Sequence, residues 1–459
     1  MARCAPLYRR WAGLLALLLL LGLGSACTSD PDPGNSSPLR AFTNPETGHR
    51  PTAEAGEAKP VRIEYWHVNG ENFGGPAIEK LVRAFHGRHP DITVEAVFQP
   101  GSYQGLMQNL QASIAAGTPP AVAQIGFNYL DYAVENVPFV PVEEMLKRDP
   151  DSETFLRSFP ASVLNLGRRQ GTLAGFPYSI SVPILYYNAD LFSRAGLDPD
   201  RPPRTWSEVR AFSREIKQKT DQYGLFVEDV ANWAIDAMVL SNDGAIYRNV
   251  GGRTEPAFQE ASGIAVYQML QEMALREKTL FHATQKEGQQ AFLDGKVAMI
   301  VQTVGLYRFL TASSAFEVRT ALFPVFDGKP RKVPAGGNAL MILTQNPNEP
   351  AAAWEWIRFL NSPEALAIWV EETGYLPHRD DWADSPALRS ILEERPALKL
   401  ARQQLADVVS WPSFSGGNSL EAEQIRIEAT EAILSGKKSP SSALEAASEK
   451  IRRLTAQFR

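Results

Sequence analysis

The sequence contains very little cysteine, because only Cys4 and Cys27 of its 459 residues carry a thiol. Both lie at the amino-terminal end, which excludes a disulfide framework and a thiolate metal site from the rest of the chain. Long apolar runs are also scarce. The run from Trp11 to Leu23, taken as a helix rising about 1.5 Å per residue, covers about 20 Å and falls short of the roughly 30 Å hydrocarbon core of a bilayer.

Familiar catalytic motifs are missing as well. The sequence has no G-x-S-x-G elbow, no G-x-x-x-x-G-K-S/T phosphate loop, no G-x-G-x-x-G after a strand and no H-E-x-x-H pair. A carboxylate pair for glycoside hydrolysis stays open, because 52 acidic residues offer many pairs and the required separation is spatial. The net charge of −6 argues against sequence-independent binding to nucleic acid, which depends on positive charge. The pattern predicts no metal site and no cofactor.

The first 60 residues have the features of a secretion signal followed by a tether. Three arginines precede the apolar run, and three small residues come directly before Cys27. This order predicts a signal peptide over residues 1–26 and resembles the bacterial lipoprotein signal, in which the cysteine becomes the lipid-modified first residue. Residues 27–60 are rich in Pro, Gly, Ser and Thr, which predicts a flexible, lipidated tether. A permanent transmembrane anchor is the weaker alternative.

From residue 61 onwards the sequence alternates strand and helix patterns. Apolar and polar residues alternate over 61–65 and again over 92–98, which predicts two strands. Between them, apolar side chains at spacings of three and four predict a helix over 77–88. A third, buried strand is predicted over 121–125. Mixed units of this kind through the chain predict an α/β fold.

Two later helices have clear start signals. Thr205 and Glu208 form a predicted capping box. Ser362 is the predicted N-cap of another helix, with Pro363 in its first turn and Gly374 at its end. Helices are therefore predicted well into the carboxyl-terminal half of the chain.

Aromatic residues in segments rich in Gly, Ser, Asn and Pro are candidates for a binding site. They are Tyr103, Phe127, Trp233, Tyr307 and Tyr375. In such segments a ring can line a cleft, although each ring taken alone is more typical of core packing. A pyranose has an apolar face that packs on a ring and hydroxyl groups that pair with short polar side chains. The combination favours a carbohydrate cleft.

Seven segments, taken in order, resemble the solute-binding proteins of bacterial ABC sugar importers. They are EYWHVNGEN (64–72), AGTPPAVAQIG (116–126), FPYSISVPILYYNADLFSRAGLDP (176–199), PPRTWSEV (202–209), FLDGKVAMI (292–300), AGGNALMI (335–342) and TGYLP (373–377). The tail QIRIEATEAILSGKKSP is similar to the glycerol-3-phosphate-binding members of that family. The resemblance implies a two-lobed periplasmic-binding-protein fold of type II, with interleaved lobes joined by a hinge.

The resemblance also implies ligand-binding residues. The places that match the family's ligand contacts are Tyr103, Ser179 or Ser181, Trp233, Gly337 and Tyr375. The predicted ligand-binding set also contains His67, Asn69, Phe127, Asn128, Asp243, Thr303 and Asn418.

At two places this chain departs from the family's pattern. Where the family has a binding glutamate the chain has Phe127 or Asn128, and where it has a binding arginine the alignment reaches Asn418. An arginine is the natural partner of a phosphate dianion. Its absence favours a neutral sugar, oligosaccharide or glycoside over glycerol 3-phosphate, unless Arg308 or Lys332 takes its place.

The resemblance further implies how the lobes are formed and used. Residues 61–180 and 338–380 would form one lobe, and residues 184–334 and 385–459 the other. A solute that contacts both lobes would favour their closed arrangement. The implied role is the extracytoplasmic solute-binding component of an ABC importer, which delivers its solute to permease subunits. It implies a monomer without enzyme activity, anchored by lipid in the periplasm or at the outer face of the cell membrane.

Three alternatives remain open at this point. Glycerol 3-phosphate or a glycerophosphodiester could be the solute in the same role. A secreted glycan-degrading enzyme would share the signal peptide, the acidity and the sugar-facing aromatic residues. A surface adhesin or scaffold would have an exposed aromatic strip and no hinge.

Overall fold

The computed structural model describes residues 60–71, 73–228, 232–251, 253–414 and 418–456. The predicted signal peptide, Cys27 and the tether before residue 60 lie outside the described residues. The strands are β1 Val61–His67, β2 Ile92–Phe98, β3 Val122–Gly126, β4 Arg168–Arg169, β5 Thr172–Leu173, β6 Phe176–Ser181, β7 Pro183–Asn188, β8 Tyr223–Val227, β9 Tyr247–Val250, β10 Arg253–Pro256, β11 Val297–Thr303, β12 Val318–Leu322, β13 Val333–Pro334, β14 Gly336–Ile342 and β15 Val408–Val409.

Helices connect and cover these strands. The α-helices are α1 Gly75–Arg88, α2 Ser102–Ala115, α3 Leu130–Asn136, α4 Val142–Arg148, α5 Ser152–Arg157, α6 Ala161–Leu166, α7 Ala189–Arg194, α8 Trp206–Thr220, α9 Trp233–Ser241, α10 Ala261–Gln271, α11 Gln285–Leu293, α12 Tyr307–Ser313, α13 Pro350–Leu360, α14 Pro363–Thr373, α15 Pro386–Glu394, α16 Pro396–Gln403, α17 Ser419–Leu434 and α18 Pro440–Ala456. Short 3-10 turns follow β3 and β11 at Phe127–Tyr129 and Val304–Leu306.

Two separate sheets organise the fold. The five-stranded sheet has the order β2-β1-β3-β14-β6, and the four-stranded sheet has the order β12-β7-β11-β8. In the first, β1 runs parallel to β2 and β3, whereas β14 runs antiparallel to β3 and β6. Helices α1, α13 and α14 pack together beside this sheet, and α2 and α3 contact β3. Each sheet with its helices is one half of an α/β structure.

The chain passes between the halves rather than forming them one after the other. Strand β6 ends at Ser181 in the five-stranded sheet, and β7 begins at Pro183 in the four-stranded sheet. It returns at β14, which lies between β3 and β6 in the five-stranded sheet and is buried along its whole length. A strand covered on both faces is expected to be apolar without alternation, as its residues ALMI are. These crossings support the predicted lobes, whose exact bounds stay a prediction.

The predicted elements are confirmed with small shifts at their ends. The strands predicted near 61 and 92 are β1 and β2, and the one predicted over 121–125 is β3, one residue later. The helix predicted over 77–88 begins at Gly75, because Pro76 fits the first turn, where an N–H has no partner within the helix. Ser362 caps α14, which stops at Gly374 with a φ of 86°.

The predicted capping box at the start of α8 is also confirmed. Thr205 Oγ1 accepts a hydrogen bond from the Glu208 N–H at 3.2 Å, and the Glu208 carboxylate accepts one from the Thr205 N–H at 3.2 Å. Two of the N–H groups that a helix start leaves without partners are thereby satisfied.

Thr205→Ala is expected to lower the free energy of unfolding by about 1 kcal/mol, because it removes the side-chain acceptor of the cap. Thr205→Ser keeps a hydroxyl at the same place and is expected to behave like the wild type. Urea denaturation of the three proteins measures the difference. Equal midpoints for the alanine variant and the wild type would contradict it.

Candidate functional site

A cavity of about 520 Å³ is the candidate functional site. Its wall includes Ser181 at the end of β6, Thr303 at the end of β11, Tyr103 in the first turn of α2 and Trp233 at the start of α9. Helices α2 and α9 each follow a strand of a different sheet. The cavity is therefore lined by the carboxyl-terminal ends of strands from both halves, the usual place for ligands in α/β sheets.

Two tyrosines meet at one wall of the cavity. Tyr103 and Tyr375 both line the cavity, and burial raises the pKa of both hydroxyl groups. Asn338 Nδ2 donates a hydrogen bond to the Tyr103 oxygen at 3.0 Å. Burial raises the pKa of Tyr103 to about 12, so the hydroxyl keeps its proton at neutral pH. The Tyr375 ring also stacks on Trp369, with centroids 5.4 Å apart, which fixes its orientation.

Two tryptophans form another wall. The rings of Trp233 and Trp411 lie with centroids 6.0 Å apart at an angle of 46°. Trp233 Nε1 donates to the Pro334 carbonyl oxygen at 3.0 Å, so its polar edge is satisfied while its faces stay apolar. Only 4% of Trp233 and 7% of Trp411 is exposed. These rings are parts of a fixed wall and not exposed side chains that order on binding.

The Trp233 wall requires glycine in the neighbouring backbone. A Cβ on Gly336 would lie 2.5 Å from the Trp233 ring and 2.6 Å from Ser181 Oγ. Gly337 has a φ of 111°, and a Cβ there would lie 1.7 Å from the Ser179 carbonyl oxygen. A side chain at either position would force the strand away from its neighbours.

Polar and charged groups complete the wall. Gln285 Nε2 donates to Glu228 Oε1 at 3.3 Å, and Thr303 Oγ1 accepts from the Gly305 N–H at 3.1 Å. Glu228 is buried, whereas Lys286 lies exposed in the first turn of α11. Of the described residues on the wall, these two alone are charged, and no arginine is among them.

The structure brings together six residues of the predicted set. They are Tyr103, Ser181, Trp233, Thr303, Gly337 and Tyr375. Of Ser179 and Ser181, Ser181 lines the cavity, while Ser179 is fully buried beside Gly337. That these residues bind the ligand stays a prediction.

Other predicted residues lie near the cavity but not on its wall. His67 is buried between Tyr65 and Phe98, with centroids 5.7 and 6.0 Å away, and burial lowers its pKa to about 4. Asn69 Oδ1 accepts from Gln124 Nε2 at 2.9 Å, and its Nδ2 donates to the Phe73 carbonyl oxygen at 3.0 Å. The Asn69 amide is thus occupied within the protein and helps to place Phe73, which does line the cavity.

The remaining predicted residues lie elsewhere. Phe127 and Asn128 form the buried turn after β3, where the Phe127 ring belongs to the core. Asp243 is exposed in a turn and pairs with Lys332 at 3.4 Å. Asn418 donates from Nδ2 to the Leu454 carbonyl oxygen at 3.2 Å and so joins the start of α17 to α18.

Neither proposed substitute for the family's arginine lines the cavity. Lys332 is held by Asp243, and Arg308 donates to the Glu371 carbonyl oxygen at 3.3 Å. Tyr307 begins α12 and is not on the wall.

Several residues of the cavity wall are not among those predicted from the sequence. They are Phe73, Phe98, Glu228, Gln285, Lys286, Gln289 and Trp411. Trp411 lies in the segment SWPSFSGG, which has the same mixture of ring and small residues that indicated the other aromatic candidates. The charged and amide residues had no such signal, because they come from helices and strand ends that only folding brings together.

A buried charge cluster lies behind Trp411. Its Asp236 carboxyl group is paired with the Arg426 guanidinium. Arg426 also donates to Glu423 at 3.3 Å. Burial raises the pKa of Asp236 to about 6 and that of Glu423 to about 7, although Arg426 opposes both shifts. Burial of two acids with one base disfavours two negative charges at once.

The described residues hold no group of three or more His, Cys, Asp or Glu side chains that could bind a metal ion. Among these same residues, every helix is too short or too polar to cross a bilayer.

The fold and cavity define a class of protein. Residues 72–367 match the family described as bacterial extracellular solute-binding protein, and the match covers more than half of the chain. The chain belongs to this family, whose members act outside the cytoplasm, and it is the solute-binding component of an ABC importer.

Known relatives extend the comparison to nearly the whole chain. The sn-glycerol-3-phosphate-binding periplasmic protein UgpB of Pectobacterium atrosepticum is 26% identical over 430 residues, which cover 88% of this chain and 93% of that protein. The structure of Mycobacterium tuberculosis UgpB with glycerophosphocholine has a TM-score of 0.76 and 20% identity, covering 88% of this chain and 100% of that one.

A third relative has the same fold. The GacH receptor of Streptomyces glaucescens, solved unliganded and with acarbose, has a TM-score of 0.75 and 18% identity, again covering 88% of this chain and 100% of that one. The two-lobed α/β fold of type II is thereby confirmed.

Glu423→Gln is expected to make stability less dependent on pH. Because the folded protein holds this proton up to about pH 7 and the unfolded chain releases it near 4.5, this group stabilises most below pH 4.5 and loses its contribution as pH rises to 7. Between pH 5 and pH 8, the free energy of unfolding of the wild type should fall by about 2 to 3 kcal/mol more than that of the variant. Denaturation at both pH values measures this difference.

Glu428→Gln is the matched control, because Glu428 is exposed on the same helix. It should keep the pH dependence of the wild type. An unchanged pH dependence in Glu423→Gln would show that Glu423 does not hold a proton in the folded state.

Proposed function

We propose that the cavity binds a neutral sugar, oligosaccharide or glycoside and that the protein delivers it unchanged to the permease subunits of the importer. The observation that carries this proposal is the pairing of aromatic walls from both halves with short polar side chains between them. The cavity volume of about 520 Å³ lies in the range of small-molecule sites.

The aromatic residues suit the apolar faces of sugar rings. Tyr103 and Tyr375 form one wall, and Trp233 and Trp411 form another. All four have polar edges, and the hydrogen bonds of Tyr103 and Trp233 lie within the protein. The faces that remain can stack on a pyranose without leaving a buried polar atom unpaired.

The polar wall residues suit hydroxyl groups. Ser181, Thr303, Gln285 and Gln289 present hydroxyl and amide groups that both donate and accept. The missing arginine supports a neutral solute, because a buried phosphate dianion needs strong donors close to its oxygens. Lys286 is exposed, so its charge is solvated and attracts an anion only weakly.

Closure around the solute follows from its contacts with both halves. Tyr103 follows β2 of the five-stranded sheet, and Trp233 follows β8 of the four-stranded sheet. A solute that touches both is bound best when the halves are close, so occupancy favours the closed arrangement. The proposed lobes are residues 61–180 with 338–380 and residues 184–334 with 385–459.

The same proposal includes an anchored monomer. Cys27 would carry the lipid, residues 27–60 would be the tether, and the domain would work in the periplasm or at the outer face of the membrane. It would catalyse no reaction.

A second candidate is a glycerophosphodiester. The observation that favours it is the presence of both an acid and a base on the wall, Glu228 and Lys286. A zwitterion such as glycerophosphocholine, the molecule bound in the M. tuberculosis structure, could place its phosphate near Lys286 and its ammonium group near Glu228 and the tryptophan rings.

Calorimetric titration of the purified full chain separates these solutes. The probes are maltose, maltotetraose, glycerol 3-phosphate and glycerophosphocholine, and we expect saturable binding to a maltosaccharide. Chromatography after prolonged incubation should show the sugar unchanged. Binding of the phosphate compounds alone would overturn the neutral-sugar proposal, and release of shorter sugars would favour the glycan-degrading enzyme.

Lys286→Gln provides an independent test of solute charge. With maltotetraose, affinity should change by less than about threefold, because an uncharged sugar gains little from the charge of Lys286. With glycerophosphocholine, affinity should fall by about tenfold, and its dependence on salt should weaken. Lys296→Gln, in an exposed lysine that is not on the cavity wall, is the control. A tenfold loss for maltotetraose would contradict the neutral-sugar assignment.

A further inference from the structure

The segment that carries Trp411 contacts both halves of the protein. Residues 410–414 follow β15 and belong to no helix or strand. Trp411 lines the cavity, and two residues later Ser413 Oγ donates a hydrogen bond to Asp131 Oδ2 at 2.6 Å. Asp131 lies in the first turn of α3, which follows β3 of the five-stranded sheet.

The indole itself packs against the other half. The Trp411 ring lies with its centroid 6.0 Å from that of Trp233, at the start of α9, which follows β8 of the four-stranded sheet. The ring thus contacts one half, and its segment is hydrogen-bonded to the other through Ser413.

Asp131 is a fixed point rather than a mobile surface acid. Arg169 Nε pairs with Asp131 Oδ1 at 2.6 Å, which leaves Oδ2 for Ser413. Arg169 also donates to the Leu166 carbonyl oxygen at 3.1 Å. Each carboxylate oxygen therefore has its own partner, and the acid cannot turn without losing a charge-assisted hydrogen bond.

We propose that Asp131 and Ser413 are a positioning pair that sets the orientation of Trp411 against Trp233 and, through it, which solutes the cavity accepts. The second half of this inference rests on the proposed function. A segment without helix or strand bonds relies on its side-chain contacts for its position, and the hydrogen bond of Ser413 is two residues from the ring. The pair thereby couples the position of Trp411 in the cavity wall to the distance between the two halves.

The experiment uses circular dichroism of the purified full chain without solute. Two neighbouring indoles produce an exciton couplet, and the spectrum of Trp411→Phe subtracted from that of the wild type isolates the couplet of Trp411 with Trp233. Ser413→Ala should lose most of this couplet. Ser413→Thr restores the hydroxyl and should regain it, and Asp131→Asn keeps an acceptor and should retain it in part.

A second arm measures solute affinity by calorimetry with maltotetraose and with glycerophosphocholine. Ser413→Ala should lower the affinity for whichever probe binds the wild type by about 3- to 10-fold, which is the effect of losing one hydrogen bond. Ser413→Thr should restore this affinity. A merely structural role would lower thermal stability without this rescue of the couplet.

The outcomes separate this inference from the proposed function. An unchanged couplet in Ser413→Ala overturns the positioning role, whatever binds. An altered couplet with unaltered affinity overturns the link from Trp411 to solute choice. If neither probe binds the wild type, the proposed solute class and that link fail together, while the couplet still decides the positioning role.

Discussion

The cavity depends on the absence of side chains at residues 336 and 337, where the chain returns from one half to the other. The Trp233 ring and Ser181 Oγ fill the space that a Cβ at 336 would need, and the Ser179 carbonyl fills the corresponding space at 337. Because β14 also pairs antiparallel with both β3 and β6, it cannot move outward without breaking the sheet. The close approach of the backbone at residues 336 and 337 therefore determines the register of β14, the depth of the cavity and the position of Trp233.

Behind the aromatic walls, polar groups are buried in pairs and networks. Asp236 is paired with Arg426, and Asn338 donates a hydrogen bond to Tyr103 beside the cavity. Removing one member would leave the other buried and unpaired, which is costly, so such networks hold the rings in one arrangement. The cavity then presents apolar faces that are already in place, and little ordering of side chains is needed when a solute binds.

The chain patterns that the sequence revealed are local ones. The alternation over 61–65 and the Thr205 capping box depend on neighbours in sequence, and both predictions are confirmed. Gly337 and the rings of Tyr103, Trp233 and Tyr375 are predicted through a family resemblance, and the structure brings them to one cavity. Whether they bind the solute stays a prediction that titration tests.

The predicted residues that lie off the cavity wall do so for a common physical reason. Phe127 had the right residue type and a turn-rich neighbourhood, yet the direction of its side chain after β3 sends the ring into the core. Asp243 is paired with Lys332, and Asn418 donates a hydrogen bond to the Leu454 carbonyl oxygen. Both partners are distant in sequence, so no local pattern predicts these contacts. Glu228 and Lys286 were missed for the converse reason, because each is ordinary in its own segment and becomes a wall residue only by juxtaposition.

The sequence by itself determined the order of strands and helices, the ends of several helices and the family, because propensity, capping and apolar period act over a few residues. Only the tertiary structure decided which side of each strand faces the cavity, which charges lie on its wall and that the segment of Trp411 contacts both halves. Those features arise from contacts between residues up to about 280 positions apart, such as Asp131 and Ser413, and long-range packing selects them after local structure has formed.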